Sequence, residues 1–289
     1  MPSATPKRPT AKPASARLQW FGHSDVGKVR KNNEDAFVAL RFDGREVHHL
    51  GKIGEISVEN ADFAFAVCDG MGGAKAGEFA SRIAVDKIKS LLPKSYRLSA
   101  VGLETGFEDV LTELFGQIHG ALKFLGESYE ECHGMETTLS LCWFTPGWMY
   151  FGHIGDSRIY YLPAREKFIR QLSHDDTHVG WLLRNGQLNE REARTHPRRN
   201  VLQKALGGGN MFVDPQVGAV AYEPGDVFLL CSDGLNEGLY DHRIADLLRP
   251  GKTEKTDPNL AVNLVNQSII ADGRDNTTAL VVRVSGGDR

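Results

Sequence analysis

Two apolar runs of this chain each end on an aspartate that is followed by a glycine. The first run, FAFAVC, leads directly into Asp69, and the second, VFLLC, leads through one serine into Asp233. Runs of five or six apolar residues that stop at turn-forming residues predict buried β-strands. A single Asp-Gly pair is ordinarily a turn. Its repetition at two buried strand ends restricts the fold to one that tolerates carboxylates there.

Three more acidic residues lie just before predicted strands. Asp275 precedes the run Thr278–Val284, and Glu34 and Asp35 precede Ala36–Leu40. If a sheet gathers these carboxylates, they repel one another and raise one another's pKa. Mg²⁺ or Mn²⁺ would relieve that repulsion, because both prefer carboxylate, carbonyl and water oxygens. The chain lacks the His and Cys spacing typical of zinc sites, but the sequence alone leaves open whether these strand ends meet.

The order of the predicted elements indicates an α+β fold. A hairpin is expected where Pro146–Gly147 separates two apolar runs, and Trp148–Tyr161 is predicted as one strand-like run. Apolar residues at three- and four-residue spacing predict a long helix over Glu104–Glu127, with weaker helices at Glu78–Leu92 and Pro258–Ala271. This pattern favours antiparallel sheet with helices packed outside over a wound parallel sheet.

Composition and cysteine usage narrow the possible functions. The chain is 41% hydrophobic and 25% charged, with a net charge of -3, which gives no electrostatic reason to expect nucleic acid as a partner. Its apolar runs are too short to span a bilayer. The four cysteines form no CxxC pair, and Cys68 and Cys231 lie inside apolar runs. We therefore predict reduced, structural cysteines and a cytoplasmic protein.

The chain divides into a tail and one folded domain. Residues 1–17 are rich in Pro, Ala, Ser and Thr and carry four basic residues but no acidic one, which predicts a disordered tail. Residues 18–289 are predicted to form a single domain. Within it, the polar segment 173–210 is expected to leave the core as a small, partly helical excursion. No coiled-coil heptad is present, and a monomer is the default expectation.

Six motifs occur along the chain in the order found in one family. They are SDVGKVRKNNEDAF (Ser24–Phe37), VCDGMGG (Val67–Gly73), GMETTL (Gly134–Leu139), GHIGDSRIYY (Gly152–Tyr161), LCSDGL (Leu230–Leu235) and GRDNTTALVV (Gly273–Val282). Together they resemble the type-2C, metal-dependent (PPM) serine/threonine protein phosphatases of the bacterial branch, from about residue 18 to 284. The resemblance implies an αββα sandwich of two antiparallel sheets flanked by helix pairs. Segment 173–210 would then be a flap subdomain beside a metal centre.

The same resemblance assigns metal ligands residue by residue. Asp69 would bridge two Mn²⁺ or Mg²⁺ ions, and the carbonyl of Gly70 would complete one site. Asp233 and Asp275 would bind one ion, and Asp35 belongs to the same acidic cluster.

Further roles follow from the resemblance. Glu34 would act through metal-bound water, and Arg30 would bind the substrate phosphate. Glu131 would help to bind a third ion, together with Asp233. The implied reaction is attack by a hydroxide that bridges the two ions on phosphoserine or phosphothreonine in a protein. Such an enzyme would oppose a serine/threonine kinase in bacterial signalling.

The chain departs from the family pattern at two positions. Met71 stands where the eukaryotic branch carries a histidine, a candidate general acid, so the leaving oxygen would take its proton from metal-bound water or leave without one. Glu136 replaces a glycine and places a charge at that edge of the site. Asp156 is expected to hydrogen-bond locally beneath the site, and Thr137 and Thr138 are expected to be hydroxyl donors around it.

Two alternatives compete with an active phosphoprotein phosphatase. A catalytically silent relative that acts as a binding module would have lost metal-binding acids, yet Asp35, Asp69, Asp233 and Asp275 are all present. A metal-dependent enzyme acting on small phosphoesters remains open, whereas the near-neutral charge disfavours nucleic acid. The active protein phosphatase is therefore the leading prediction.

Overall fold

The computed structural model describes residues 16–43, 46–59, 61–72, 76–100, 106–249 and 259–286, without the side chains of 93–100. The first fifteen residues of the predicted tail lie outside this range, and the first strand already begins at Ala16. This strand begins two residues before the predicted domain boundary at residue 18, and the disordered tail stays a prediction. None of the helices in the described part of the chain combines the length and the hydropathy that crossing a membrane requires.

Within the described residues the chain forms fourteen strands and seven α-helices. In chain order they are β1 (Ala16–Asp25), β2 (Asp35–Phe42), β3 (Val47–His49), β4 (Ile53–Ser57), β5 (Asp62–Met71), α1 (Ala76–Ala100), α2 (Phe107–Ser128), β6 (Glu136–Thr137), β7 (Leu139–Thr145), β8 (Trp148–Ile154), β9 (Arg158–Leu162), β10 (Arg170–Gln171), α3 (His178–Arg184), α4 (Glu190–Thr195), β11 (Leu206–Gly207), β12 (Gln216–Ala221), β13 (Val227–Cys231), α5 (Asp233–Gly238), α6 (Asp241–Leu248), α7 (Leu260–Ala271) and β14 (Thr277–Gly286).

The strands form two antiparallel sheets. The first sheet has the strand order β10-β9-β13-β14-β1-β4. The second has the order β11-β6-β5-β7-β8-β12, and β2 joins it by pairing with β5 and with β3. In the first sheet β1 pairs with β14 over its whole length, from Ala16 opposite Gly286 to Asp25 opposite Thr277. The described ends of the chain are therefore neighbours at one end of this sheet.

Alternation along β5 explains how the two sheets and the helices form layers. Phe65 and its alternate neighbours belong to an apolar cluster shared by both sheets, and Phe144 of the second sheet meets Phe228 of the first with ring centroids 5.3 Å apart. The intervening residues, such as Ala66, pack instead in a cluster with α1 and α2. A third cluster packs α5, α6 and α7 against the first sheet. The predicted αββα sandwich is confirmed.

One predicted run is wrong. Trp148–Tyr161 is not one strand, because β8 belongs to the second sheet and β9 to the first. Between them Gly155 has a φ of +107°, which favours glycine, and a Cβ there would lie 2.5 Å from Cγ2 of Thr138. The chain crosses between the sheets at this turn. The predicted hairpin between β7 and β8 is confirmed, with Gly147 at a φ of +83°.

The predicted helices are present with shifted ends. α2 begins at Phe107, and the predicted start at 104 lies outside the described residues. α1 continues to Ala100, beyond the predicted end at residue 92. α7 begins at Leu260, where the side chain of Asn259 accepts hydrogen bonds from the first free N–H groups of the helix. The predicted start at residue 258 lies outside the described residues.

Segment 173–210 contains two short, capped helices. The hydroxyl of Thr177 accepts a hydrogen bond from the backbone of α3. Asn189 and Glu192 form a capping box at α4. A single β-bridge joins Thr177 to Leu202 and closes the excursion. The segment is partly helical as expected, while its action as a flap stays a prediction.

Candidate metal centre

Two carboxylates face each other where β2 begins and β5 ends. The antiparallel register places Asp35 directly opposite Asp69, so both side chains lie on the same face of the second sheet. Like charges directly opposite on paired strands destabilise a sheet. Such an arrangement is typical of a site that binds a cation.

The first sheet brings two more acids to the same end of the sandwich. Asp233 is the first residue of α5, directly after β13 and Ser232, and Asp275 lies just before β14. A cavity of about 430 Å³ gathers six of the predicted site residues in its wall: Arg30, Glu34, Asp69, Gly70, Asp233 and Asp275. Asp35 is not in this wall, but it lies directly opposite Asp69, which is, in the pairing of β2 with β5.

The pKa values of these acids show that they repel one another. Burial raises the pKa of Asp69 well above its usual range, and Asp35 and Asp233 raise it further. Burial likewise raises the pKa of Asp233, with Asp156 and Asp275 adding to the effect. The repulsion that the sequence predicted is therefore present, and cations would relieve it.

The donor set fits a hard divalent cation. Oδ1 of Asp35 is buried without a hydrogen-bond partner among the described residues. Its other oxygen, Oδ2, accepts 2.6 Å hydrogen bonds from Ser232 and Thr278. An orphaned carboxylate oxygen is costly unless something binds it, and oxygen-only ligands suit Mg²⁺ or Mn²⁺. Within the part of the chain that the structure describes, no three acidic, His or Cys side chains already form a closed ligand set.

Glycine opposite glycine lets α1 approach the end of β5. A Cβ on Gly70 would lie 1.9 Å from the carbonyl oxygen of Gly77, and a Cβ on Gly77 would lie 2.8 Å from the carbonyl oxygen of Gly70. Only glycine at both positions permits this close approach. Sequence reasoning singled out Gly70 and missed Gly77.

Arg30 lies at the mouth of the cavity and is held by an acid. Its Nη2 donates a 2.6 Å hydrogen bond to Oδ2 of Asp275, and about half of the side chain is exposed, at 51%. This contact with Asp275 raises the pKa of Arg30. Beside it, burial raises the pKa of Glu34 above its ordinary value. The predicted phosphate-binding arginine therefore lies beside the predicted metal ligands.

A buried asparagine fixes the loop that carries Arg30. Oδ1 of Asn276 accepts a 2.8 Å hydrogen bond from the backbone N–H of Glu34. Its Nδ2 donates 3.0 Å hydrogen bonds to the carbonyls of Val26 and Asn32. Sequence reasoning missed Asn276 and also the two hydroxyls on Asp35. The available signal was their position inside the DNTT and CSDG motifs.

Two threonines hold the backbone of Asp69. Thr137 donates from its hydroxyl to the carbonyl oxygen of Asp69 at 2.9 Å. The hydroxyl of Thr138 instead accepts a 3.0 Å hydrogen bond from the N–H of Asp69. The threonines therefore frame the site as expected, although Thr138 acts toward Asp69 as an acceptor.

Three of the remaining sequence predictions concern residues in or near the cavity. Glu131 lies in an exposed turn outside the cavity wall, and its third-ion role stays a prediction. Asp156 lines the cavity itself, and burial raises its pKa to about 7. Glu136 pairs with Met71 and packs against Gly208, where a Cβ would lie 1.8 Å from Oε1 of Glu136. The glycines after β11 thus make room for this unusual charge.

Two face-to-face antiparallel sheets with opposed carboxylates and an arginine at one end define the architecture of a metal-dependent phosphoprotein phosphatase. Residues 53–264 match the family model described as protein phosphatase 2C, and the chain belongs to that family. It is thus an enzyme of a class of metal-dependent serine/threonine phosphatases, which are phosphoric monoester hydrolases.

Similar proteins confirm the bacterial branch and the fold. The serine/threonine phosphatase stp of Listeria monocytogenes is 32% identical over 243 residues, which make up 83% of this chain and 92% of that protein. The solved serine/threonine phosphatase of S. agalactiae has a TM-score of 0.75 at 26% identity, covering 92% of this chain and 99% of that one. The catalytic domain of PstP, solved with two manganese ions, has a TM-score of 0.71 at 29% identity, covering 93% and 99%.

Proposed function

We propose that this chain hydrolyses phosphoserine and phosphothreonine in proteins with two Mn²⁺ or Mg²⁺ ions held at the cavity between the sheet ends. The observation that carries the proposal is the register that sets Asp35 opposite Asp69, beside acids supplied by the other sheet. The manganese ions in the PstP catalytic domain support the choice of metal and the number of ions.

Asp69 is the best-placed bridging ligand. It lines the cavity, and burial, followed by Asp35 of the second sheet and Asp233 and Asp275 of the first, raises its pKa. The carbonyl of Gly70 would complete one ion site, and Glu34 would hold water at the other. When bound, the two ions would neutralise phosphate charge and lower the pKa of the water whose hydroxide attacks phosphorus.

Arg30 would bind and orient the phosphate. Asp275 holds one end of its guanidinium, and the exposed half of the side chain leaves other N–H donors accessible. A guanidinium can grip two phosphate oxygens at once, which favours in-line attack. Met71 lines the cavity but has no proton to give. Without a histidine at this position, the leaving oxygen would take its proton from metal-bound water or leave without one.

Segment 173–210 would shape access for the protein substrate. Asn200 and Leu202 from this segment line the cavity. Asn200 also lines a second, adjoining cavity of about 460 Å³ between α4 and α5. Surface loops beside an active site commonly control substrate entry. We propose the same role here, in an enzyme that reverses the action of a serine/threonine kinase.

The test is phosphate release from a phosphothreonine peptide, with and without Mn²⁺, by the wild-type chain and by Asp233→Asn. Losing a charged metal ligand removes several kcal/mol of charge stabilisation, so we expect a rate loss of about 100-fold or more. Asp214→Asn makes the same chemical change at a side chain that is 89% exposed, and should keep wild-type activity. Metal-independent hydrolysis, or full activity of Asp233→Asn, would contradict the two-ion proposal.

The same assay separates the alternatives. A chain that binds Mn²⁺ but releases no phosphate from any substrate would be a silent relative. Faster hydrolysis of nucleotides or sugar phosphates than of the peptide would favour a small-phosphoester enzyme. For the kinase relationship, deletion of the gene should raise phosphoserine and phosphothreonine in cellular proteins, and loss of the opposing kinase should reverse the rise.

A further inference from the structure

Two hydroxyls converge on a single oxygen of Asp35. Ser232 and Thr278 both donate to Oδ2, each at 2.6 Å, and both residues are fully buried. Oδ1 has no hydrogen-bond partner among the described residues. The two oxygens of this carboxylate therefore differ, since Oδ2 accepts two hydrogen bonds and Oδ1 accepts none from the described residues.

The direction of these hydrogen bonds is fixed by the number of hydrogens available. The hydroxyl of Thr278 has one hydrogen and donates it to Asp35. In the 2.7 Å contact between Ser24 and Thr278, the donor must therefore be Ser24. Ser24 in turn accepts a 2.8 Å hydrogen bond from Nδ2 of Asn33. A one-way chain of donors runs from Asn33 through Ser24 and Thr278 to Oδ2 of Asp35.

The hydrogen-bond direction of Ser232 is fixed in the same way. Its oxygen accepts a 3.0 Å hydrogen bond from the backbone N–H of Thr278, while its hydrogen is donated to Asp35. Both donors therefore come from the first sheet, at the end of β13 and the start of β14, whereas Asp35 begins β2 of the second sheet. The carboxylate is clamped across the gap between the two sheets.

We propose that Ser232 and Thr278 are positioning residues that occupy Oδ2 of Asp35, so that only Oδ1 is offered to a cation held by Asp69 or to a water on that cation. The inference rests on the proposed function, because it needs a cation at Asp69. Partners that orient a metal-binding carboxylate typically change metal affinity 10–100-fold when they are removed. Ser24 acts on Asp35 only indirectly, through the hydrogen bond that it donates to Thr278.

The test is the Mn²⁺ dissociation constant, measured by isothermal titration calorimetry on the full chain after removal of bound metal with a chelator. Thr278→Val and Ser232→Ala should each weaken Mn²⁺ binding about 10–100-fold. Thr278→Ser keeps the hydroxyl and should bind Mn²⁺ with wild-type affinity. Ser24→Ala should weaken Mn²⁺ binding less than Thr278→Val or Ser232→Ala does. Thr145→Val is the matched control, because Thr145 is a buried threonine at the far end of β7.

Circular dichroism and thermal melts establish which variants are folded before binding is measured. If Thr278→Val fails to fold, Ser232→Ala and Ser24→Ala carry the test. Folded Thr278→Val and Ser232→Ala that bind Mn²⁺ like the wild type would overturn the inference. Asp35→Asn distinguishes a failure of the inference about the two hydroxyls from a failure of the assignment of Asp35 to the metal centre. If it loses Mn²⁺ affinity while the hydroxyl variants keep theirs, only the inference fails, and if it also binds normally, the assignment of Asp35 to the metal centre fails.

Discussion

His153 is a buried titratable side chain just before the turn where the chain crosses between the sheets. Its Nε2 lies 3.0 Å from the carbonyl oxygen of Gly155, which can only accept, so Nε2 carries the hydrogen. In the neutral ring, Nδ1 then accepts from the hydroxyl of Ser140 at 2.9 Å. Burial lowers the pKa of His153, against the opposing effect of Asp176. The folded protein therefore holds this ring neutral.

We expect stability to fall as His153 is forced to take up a proton. Because the folded-state pKa lies below the unfolded value of 6.5, its contribution is complete above pH 6.5 and is lost as the pH falls through the folded pKa. The slope is at most about 1.4 kcal/mol per pH unit for one proton. The measurement is the free energy of unfolding in urea from pH 8 to pH 5, for the wild type and for His153→Gln. If the free energy of unfolding changes with pH by the same slope in both proteins, protonation of His153 is not a cause of the loss of stability.

The site residues that the sequence revealed carry a local signal. An aspartate such as Asp69 after an apolar run is visible in a window of ten residues. Asn276 and Thr278 bind residues about 240 positions away, so their roles depend on which distant strands are adjacent. The DNTT and CSDG motifs mark these residues as lying near the acids, but no local pattern shows which distant residue each one contacts. The hydrogen-bond partners of Glu34 and Asp35 were therefore missed.

At the scale of elements, α2 carries two glycines that nothing requires. A Cβ on Gly116 or on Gly120 would meet no atom within 4 Å. Glycine inside a helix costs about 0.5–1 kcal/mol relative to alanine. Gly116→Ala and Gly120→Ala should each raise the free energy of unfolding by that amount in urea titrations.

The matched control lies on the strand beneath this helix. A Cβ on Gly152 would lie 2.7 Å from the ring of Phe115, so Gly152→Ala should lower the free energy of unfolding by about 1–3 kcal/mol through overpacking. A loss of stability from the helix variants would show that the exposed face of α2 has a contact that the structure does not contain.

The accuracy of the element predictions follows the length of each element. The 22 residues of α2 contain several turns of apolar periodicity, and the helix was predicted within a few residues. α5 and α6 have 6 and 8 residues, too few for a period of 3.6 to be recognised. β8 and β9 were merged because aromatic residues continue on both sides of Gly155. A turn of only three residues, 155–157, separates the two strands, and it begins at Gly155 with its positive φ.

At the scale of the whole molecule, the proposed ions would tie the two sheets together. Asp69 comes from the second sheet, and Asp233 and Asp275 come from the ends of the first. A ligand bound only to the folded state stabilises it by about 2.7 kcal/mol at 100 times its dissociation constant. For a domain of this size, Mn²⁺ at that concentration should therefore raise Tm by about 5 °C.

Differential scanning calorimetry with and without Mn²⁺ checks this expectation. Asp214→Asn should show the full rise in Tm, whereas Asp233→Asn should show a smaller one. The same Tm with and without Mn²⁺ would contradict a centre shared by both sheets. From the residues alone, only the α+β class and antiparallel sheets were predictable, since the layer order came from the family resemblance.

The pairing of β1 with β14 separates the acids of the candidate metal centre from the first and last described residues of the chain. Ala16 and Gly286 are neighbours, and ten paired residues, about 30 Å of strand, separate them from Thr277 beside the acids. A domain or linker joined directly to Ala16 or to Gly286 would therefore leave the fold at the end opposite the acids. The same geometry makes residues 16–286 a natural subject for circular permutation, with a short linker joining Ala16 to Gly286.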